Sequence, residues 1–280
     1  MRKAFLIACF AFMAATAFGQ VRIQNGLYFG RNTFMNFSSN NQLEAWDVNF
    51  NEGYDDPNTL HLLPKRNSRS GTFTINNESG IDYITVRWAN GTSERYLLLL
   101  LANEGVVLYR ADSEPLFVGT RYYPEAERYG RSMADNLMSG NSRWITASST
   151  LTEGRVRYST DNLGIKIGEC WVEGVEGYGI GETLTLNLMQ ISNIYISSGF
   201  VSFSRPHLFW ENTRIRKIKV TNEAGESEII LLEDTPHFQE LKLTTTRTYI
   251  GKIMLEIVEV YPGTKFSDTC VNSILGLFSQ

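Results

Sequence analysis

The chain has 280 residues, of which 42% are hydrophobic and 20% charged, and its formal net charge is −4. These values exclude wholesale disorder, which requires low hydrophobicity and high net charge, and the length allows one large domain or two ordinary ones. A net acidic chain also lacks the basic surface that binds nucleic acids and anionic membranes.

The first nineteen residues have the pattern of a signal peptide. A basic start, Met1 to Lys3, precedes an apolar run from Ala4 to Ala17 that is too short to span a bilayer. Cleavage after Gly19 would remove two basic residues, leaving 24 basic and 30 acidic residues, a net charge of −6. No later segment has the apolar length of a spanning helix. We therefore expect an extracytoplasmic protein, periplasmic or secreted, without a transmembrane segment after cleavage.

Residues 20–122 are predicted to form an antiparallel β domain. Runs rich in Thr, Val, Ile and Tyr alternate with turns, and Asn90-Gly91 is the strongest hairpin signal among them. Residues 51–70 are polar and predict a long loop. Leu97 to Leu101 breaks the polar–apolar alternation, which is typical of a strand buried on both faces. We expect six or seven strands in a small filled barrel or curled meander; a lipocalin-like cup for an apolar ligand is the alternative.

Residues 123–142 predict a short connecting helix. Pro124 begins a segment with acidic residues in its first turn, and Tyr129, Met133 and Leu137 recur at a spacing of four. A turn-rich stretch then ends the helix, so the domain boundary is placed near residue 142.

Residues 143–280 predict a jelly-roll β-sandwich, because short strands and turns alternate at a spacing of about 8–12 residues. The apolar alternation of the last long strand fails at Val258, which predicts a bulge. A glycine-rich loop, Cys170 to Glu182, precedes a strictly alternating strand and suits the presentation of side chains to a ligand.

Two cysteines, Cys170 and Cys270, remain after the signal peptide with Cys9 is removed. In an exported protein such a pair favours a disulfide, and two unpaired buried thiols are the alternative. The bond would close a loop of about a hundred residues and add roughly 4–5 kcal/mol in the chain-entropy model.

Five motifs in the second half occur in an order and spacing that resemble a known module. They are ASST at Ala147–Thr150, YSTDNL at Tyr158–Leu163, CWVEGVEGYGIGE at Cys170–Glu182, NTRIRKIKV from Asn212, and VYPGTKFSDTCVNSI at Val260–Ile274. Together they resemble the discoidin-like, galactose-binding-like module of exported bacterial proteins. This module is similar to the non-catalytic translocation domain of streptococcal NAD glycohydrolase and is often described as an NADase-type glycan-binding domain.

The resemblance covers residues 143–280, and the first half resembles no family. It implies a jelly roll whose loops contact sugars. It does not imply NAD hydrolysis, because the catalytic part of that toxin is a separate domain. Related modules carry an acidic turn after Asn-Leu, near a structural calcium, but Gly164 to Gly168 supplies too few oxygen ligands for calcium here.

Sugar recognition needs an aromatic face for the C–H side of the ring, and charged or amide groups for the hydroxyls. The candidate platforms are Trp171, Tyr178 and Tyr261, and the candidate polar partners are Glu173, Asn212, Arg214, Lys265 and Asp268. Structural alternatives exist for several of them: a core tryptophan beside a disulfide, an Asp268 that caps a turn, and a pair of Lys265 with Glu173.

No catalytic constellation is found. Glu173 and Glu182 could form a hydrolytic carboxylate pair, but nothing in the sequence sets their separation. The histidines lack metal-ligand spacing, and there is no nucleophile elbow, phosphate-cradling loop or dinucleotide fingerprint. We predict no enzymatic activity, no metal and no cofactor.

The sequence therefore predicts an all-β, exported, non-catalytic binding protein whose C-terminal module recognises a glycan or cell-envelope surface. A structural or protein-interaction module without a sugar site is the first alternative, with a protein partner, and an N-terminal barrel that carries a small apolar ligand is the second. The exposure of Trp171, Tyr178 and Tyr261 distinguishes the leading prediction from the first alternative.

Overall fold

The computed structural model describes residues 21–30, 32–49, 61–102, 105–122, 137–141, 143–242 and 249–278. The predicted signal peptide and most of the predicted connecting helix lie outside these residues. The helix prediction is wrong at its end, because Leu137–Ser139 form a strand that pairs with Leu275 to Leu277.

The first half forms a closed barrel of eight antiparallel strands, so the expected number of six or seven was too low. Each strand pairs with the next, and the last returns to the first, where Tyr28 lies opposite Arg121. The polar residues 66–70 were predicted as part of a loop. They belong to a strand instead, because they pair with residues 44–47 of the neighbouring barrel strand. The strands are β1 Gly26–Gly30, β2 Thr33–Phe37, β3 Gln42–Asp47, β4 Arg66–Glu78, β5 Ile81–Trp88, β6 Ser93–Leu101, β7 Gly105–Tyr109 and β8 Phe117–Arg121.

Side chains fill the barrel interior. One buried cluster contains residues from strands around the barrel, among them Tyr28, Phe37, Ile84, Trp88 and Leu98. Since alternate residues of each strand point inward, large side chains are sufficient to fill a barrel of eight strands. The interior matches the predicted filled barrel and differs from a ligand cup.

Strand β6 is buried on both faces, as predicted. Leu98 lies in the barrel core, whereas Leu97, Leu99 and Leu101 pack into a second cluster that includes Phe209 and Phe238 of the other half of the chain. The strand lacks polar–apolar alternation because one face contacts the barrel interior and the other contacts the second domain.

The second half is a β-sandwich built around one long strand. Nine strands form one sheet and two form a separate hairpin. They are β9 Leu137–Ser139, β10 Ile145–Ala147, β11 Thr152–Glu153, β12 Val156–Arg157, β13 Trp171–Val172, β14 Thr183–Ser198, β15 Arg214–Thr221, β16 Ser227–Leu231, β17 Gln239–Glu240, β18 Tyr249–Tyr261 and β19 Cys270–Phe278. A 3-10 helix, Thr160–Asn162, and a short helix α1, Leu208–Glu211, lie between strands.

Strand β14 connects the two layers. Its first half pairs with β10 and β18, and its second half pairs with β17 and β19, with a register shift between Leu188 and Ile191. Leu184 from the first half and Ile196 from the second belong to the same buried core. The sheet therefore folds back on itself at the middle of this strand.

The bulge predicted at Val258 is confirmed. Lys217 lies opposite Glu259, and the next residue, Ile218, lies opposite Ile257, so Val258 is the extra residue on its strand. The bulge lets the inward alternation of this strand resume in register with its neighbour.

Hydrogen bonds join the barrel to the sandwich. The backbone N–H of Ala102 donates to the Phe238 carbonyl at 3.0 Å, and that of Phe238 donates to Leu100 at 2.9 Å. The Tyr83 hydroxyl donates to the Phe203 carbonyl at 2.9 Å. These bonds and the apolar cluster beneath them hold the two domains against each other. None of the helices in the described ranges is long and apolar enough to cross a membrane.

Candidate functional site

A groove of about 530 Å³ opens between loops of the sandwich. Its walls come from the β11–β12 hairpin, from the segments before β13 and after β14, from the end of α1, and from the turn before β19. Its polar lining consists of Glu153, Arg157, Tyr158, Asn162, Glu169, Arg205, Asn212 and Asp268, and its aromatic lining also includes Phe200 and Phe266.

The β11–β12 hairpin supplies one wall. The Tyr158 hydroxyl donates to the Glu153 carboxylate at 3.2 Å, and burial, together with this carboxylate, raises the tyrosine pKa above its ordinary value. The Tyr158 carbonyl accepts a hydrogen bond from Val172, which attaches the hairpin to β13. Tyr158 therefore holds a fixed position with part of its ring facing the groove.

The segment after β14 supplies a second wall, and the barrel holds it in place. The carboxylate of Asp112, a barrel residue, accepts hydrogen bonds from the backbone N–H groups of Phe203 and Ser204 and from the Ser202 hydroxyl. The residue after Ser204 is Arg205, and its guanidinium lies within the range of a cation–π contact with Phe200.

Two of the predicted sugar contacts, Asn212 and Asp268, lie on the groove. Asn212 ends helix α1, and its amide donates to the Leu208 carbonyl at 2.8 Å. Asp268 precedes β19, and its carbonyl accepts the backbone N–H of Thr213. Close to them, Phe266 exposes 38% of its surface and offers an aromatic face.

Trp171 is a core residue. It is fully buried, and its indole N–H donates to the Ser149 carbonyl at 3.1 Å. Strand β13 places it in the sandwich core, opposite Val271. The prediction of a sugar platform is wrong for Trp171 in this structure, because neither face of the ring is open.

Glu173 is also fully buried, and it holds the glycine-rich loop. Its carboxylate accepts the backbone N–H groups of Val175 at 2.8 Å and Thr269 at 3.2 Å. Burial raises its pKa above the ordinary value, against the lowering effect of the two N–H groups. The predicted sugar contact is wrong here, and so is the pairing with Lys265, which lies 3.5 Å from Glu211 instead.

Packing on Glu173 explains one glycine of the loop. Gly179 has a φ of +62°, and a Cβ there would come within 2.5 Å of the Glu173 side chain. A larger residue would therefore meet both backbone strain and a clash.

Arg214 forms an interior ion pair, so its prediction as a sugar contact is also wrong. Only 4% of it is exposed, and two of its guanidinium nitrogens donate to the Asp234 carboxylate at 2.8 and 2.9 Å. A third contact, to the Asn212 carbonyl at 2.8 Å, engages the remaining nitrogen. Its donors are thus occupied within the protein.

The other predicted aromatics lie apart from the groove. Tyr178 is 44% exposed in the glycine-rich loop, and its carbonyl accepts the Thr269 hydroxyl. Tyr261 is half-buried, donates its hydroxyl to the Leu232 carbonyl, and lines a separate cleft between barrel and sandwich. The predicted residues therefore do not form one site.

The predicted disulfide is wrong in this structure, because Cys170 and Cys270 are free and buried in one apolar cluster. The register places Cys270 opposite Val172, and the Cys170 thiol lies beside the Cys270 thiol without a bond to it. Burial, and then the neighbouring Cys270, raise the pKa of Cys170, which disfavours the thiolate that forms disulfides.

The described residues contain no group of three His, Cys, Asp or Glu side chains that could hold a metal ion. The carboxylates considered for hydrolysis also have structural contacts, because Glu173 is buried and Glu182 accepts the Ser148 hydroxyl at 2.5 Å.

Several groove residues were absent from the sequence prediction, among them Arg157, Tyr158, Arg205 and Phe266. Tyr158 and Phe266 lie inside the motifs that carried the resemblance, so an aromatic side chain within a motif was a usable signal. Arg157 directly precedes the motif Tyr158–Leu163. Arg205 lies in none of them, and only the folded chain brings it to the groove.

A family model described as the NAD glycohydrolase translocation F5/8 type C domain matches residues 137–276, and this match begins at β9. No curated protein matches the chain. Among solved structures, the chain is similar to the family 32 CBM from C. perfringens NanJ in complex with galactose. The identity is 16% and the TM-score 0.35, over 50% of this chain and 98% of that one.

A second similar structure is the arabinofuranosyltransferase AftD from Mycobacteria, at 14% identity and a TM-score of 0.34. The similarity covers 51% of this chain but only 11% of the transferase.

Proposed function

The chain belongs to the NAD glycohydrolase translocation F5/8 type C domain family through residues 137–276, and from this premise we propose that it is an exported, non-catalytic binding protein. Its sandwich domain recognises a glycan or a cell-envelope surface through the groove. The observation that carries the proposal is an open groove that combines aromatic, amide and charged side chains.

The lining of the groove suits a polyhydroxylated ring. Phe266 and Tyr158 offer aromatic surface to the C–H face of a sugar. Asp268 can accept hydrogen bonds from two hydroxyls, while Asn212 can both donate and accept. The volume falls within the range of roughly 300–1,000 Å³ that is usual for small-ligand sites.

Binding of the purified protein to a glycan array and to isolated cell walls tests this proposal. Phe266→Ala and Asp268→Asn should each weaken binding about tenfold, because each removes one good contact. The matched control is Ile229→Ala, since Ile229 is an exposed apolar residue on β16, outside the groove. Absence of binding to every glycan and cell wall, or unchanged binding by both groove variants, would refute the proposal.

A structural or protein-interaction module remains the second candidate. The burial of Trp171, Glu173 and Arg214 supports it, because these residues stabilise the sandwich and face no solvent. Under this alternative the array is negative, and the protein instead retains a specific protein partner in a crosslinking pull-down.

A further inference from the structure

Two arginines on the groove have no carboxylate partner. Neither Arg157 nor Arg205 takes part in an ion pair within the described part of the chain. Arg214 differs, because the Asp234 carboxylate accepts hydrogen bonds from its Nε and from one of its terminal nitrogens. The two groove arginines therefore retain donors for a ligand.

The arginines come from different walls, and each has a fixed backbone. Arg157 lies on β12, which pairs with β11 through Thr152. The backbone N–H of Arg205 donates to the Ser202 hydroxyl at 3.0 Å, and that hydroxyl donates to Asp112 of the barrel. Both arginines line the groove.

We propose that the groove selects glycans that carry an anionic group, a carboxylate or a sulfate, and that Arg157 and Arg205 are the selecting residues. This inference rests on the proposed function. The planar guanidinium fork matches the paired oxygens of a carboxylate or sulfate, which gives charge-assisted bonds stronger than those to a hydroxyl.

The acidic residues of the groove define where the anionic group can lie. Glu169 pairs with Lys166 at 2.8 Å, and Glu153 accepts the Tyr158 hydroxyl. Asp268 has no cationic partner among the described residues. An anionic group is repelled by the Asp268 carboxylate and attracted by the arginines, so the hydroxyls of the same ring are directed to Asp268.

The test uses the purified full chain and matched glycans with one backbone in three forms: neutral, with a uronic carboxylate, and with a sulfate. We expect at least one anionic form to bind about tenfold more tightly than the neutral form, with a preference that decreases as salt is added. Preference for only one of the two anions supports the inference and identifies the anionic group.

Variants then test whether Arg157 and Arg205 select the anionic group. Arg157→Gln and Arg205→Gln should each reduce affinity for the preferred anionic form about tenfold and change affinity for the neutral form less than about twofold. Arg155→Gln is the matched control, because Arg155 is exposed in the same hairpin and does not line the groove. Thermal melting curves establish that the variants fold.

The outcomes separate the two proposals. Equal affinity for neutral and anionic forms, or equal losses for both in the arginine variants, overturns the selection of an anionic group and leaves glycan recognition in place. If none of the three forms binds, whichever glycan backbone is used, the result contradicts glycan recognition itself.

Discussion

The barrel and the sandwich are both all-β, yet they place their aromatic side chains differently. In the barrel, Tyr28, Phe37 and Trp88 point inward and fill the closed core. In the sandwich, Tyr158 and Phe266 lie beyond the strands, on loops that surround an open groove. Large inward side chains fill this closed barrel, whereas the loops of a sandwich can vary without loss of its core.

This difference assigns separate tasks to the two domains. The barrel contributes Asp112, which fixes one wall of the groove, and one face of β6, which packs against the sandwich. The sandwich contributes the groove itself. The barrel thus acts as a support for the candidate site, and three substitutions test this division.

The largest expected effect comes from Leu98→Ala in the barrel core. Leu98 is fully buried, so the substitution removes packed methyl groups and leaves a cavity, at a cost of about 2–5 kcal/mol in the free energy of unfolding. Denaturant titration measures it. Leu116→Ala is the control, because Leu116 is 54% exposed in the same domain and should change stability by less than about 0.5 kcal/mol. Equal effects would mean that the barrel core is not packed as described.

Asp112→Ala should have an intermediate effect. It removes the acceptor for two backbone N–H groups of the 202–204 segment, which costs about 1–3 kcal/mol if they remain without partners. We expect faster amide hydrogen exchange at Phe203 and Ser204 and unchanged exchange in the barrel strands. Glu114→Ala, at an exposed neighbouring position, should leave these amides protected. Unchanged exchange in Asp112→Ala would show that the barrel does not support the groove.

The smallest expected effect depends on pH. Burial raises the pKa of Glu173 above 4.5, so the folded protein keeps this proton at pH values where the unfolded chain has lost it. The contribution of Glu173 to stability therefore falls as pH rises through the window above 4.5. In Glu173→Gln this dependence is absent, so the stability of the variant relative to wild type should increase from pH 4.5 toward neutral pH.

Denaturant titrations at several pH values measure that difference. Glu176→Gln, in the exposed part of the same loop, is the matched control and should follow the wild-type curve. Parallel curves for Glu173→Gln and wild type would show that the buried carboxylate does not titrate as described.

Much of the fold could be predicted from local patterns. Asn90-Gly91 predicted a turn, and it joins β5 to β6 with the Gly91 N–H donating to the Trp88 carbonyl. The run Leu97 to Leu101 and the break at Val258 were also interpreted correctly, because both depend on the alternation of neighbouring residues along one strand. In the sandwich, β15, β18 and the first half of β14 followed from the same periodicity, whereas β9 was predicted as the end of a helix and β13 as part of a loop.

The candidate site was predicted less well. Trp171, Glu173 and Arg214 were selected for chemistry that suits a sugar, and the same chemistry suits a buried indole, a buried loop anchor and an interior ion pair. The disulfide prediction depended on the number of cysteines and on the expected compartment, and neither shows whether the two buried thiols are bonded in the folded chain.

By itself, the sequence determined that the chain is all-β, where its strands alternate, and which module its second half resembles, because each depends on residues near one another along the chain. Tertiary structure alone decided that Glu173 is enclosed while Asp268 lines a groove, and that Arg205 reaches the same groove as Arg157. Burial and proximity depend on which distant segments pack together, as when the barrel residue Asp112 binds the loop beside Arg205.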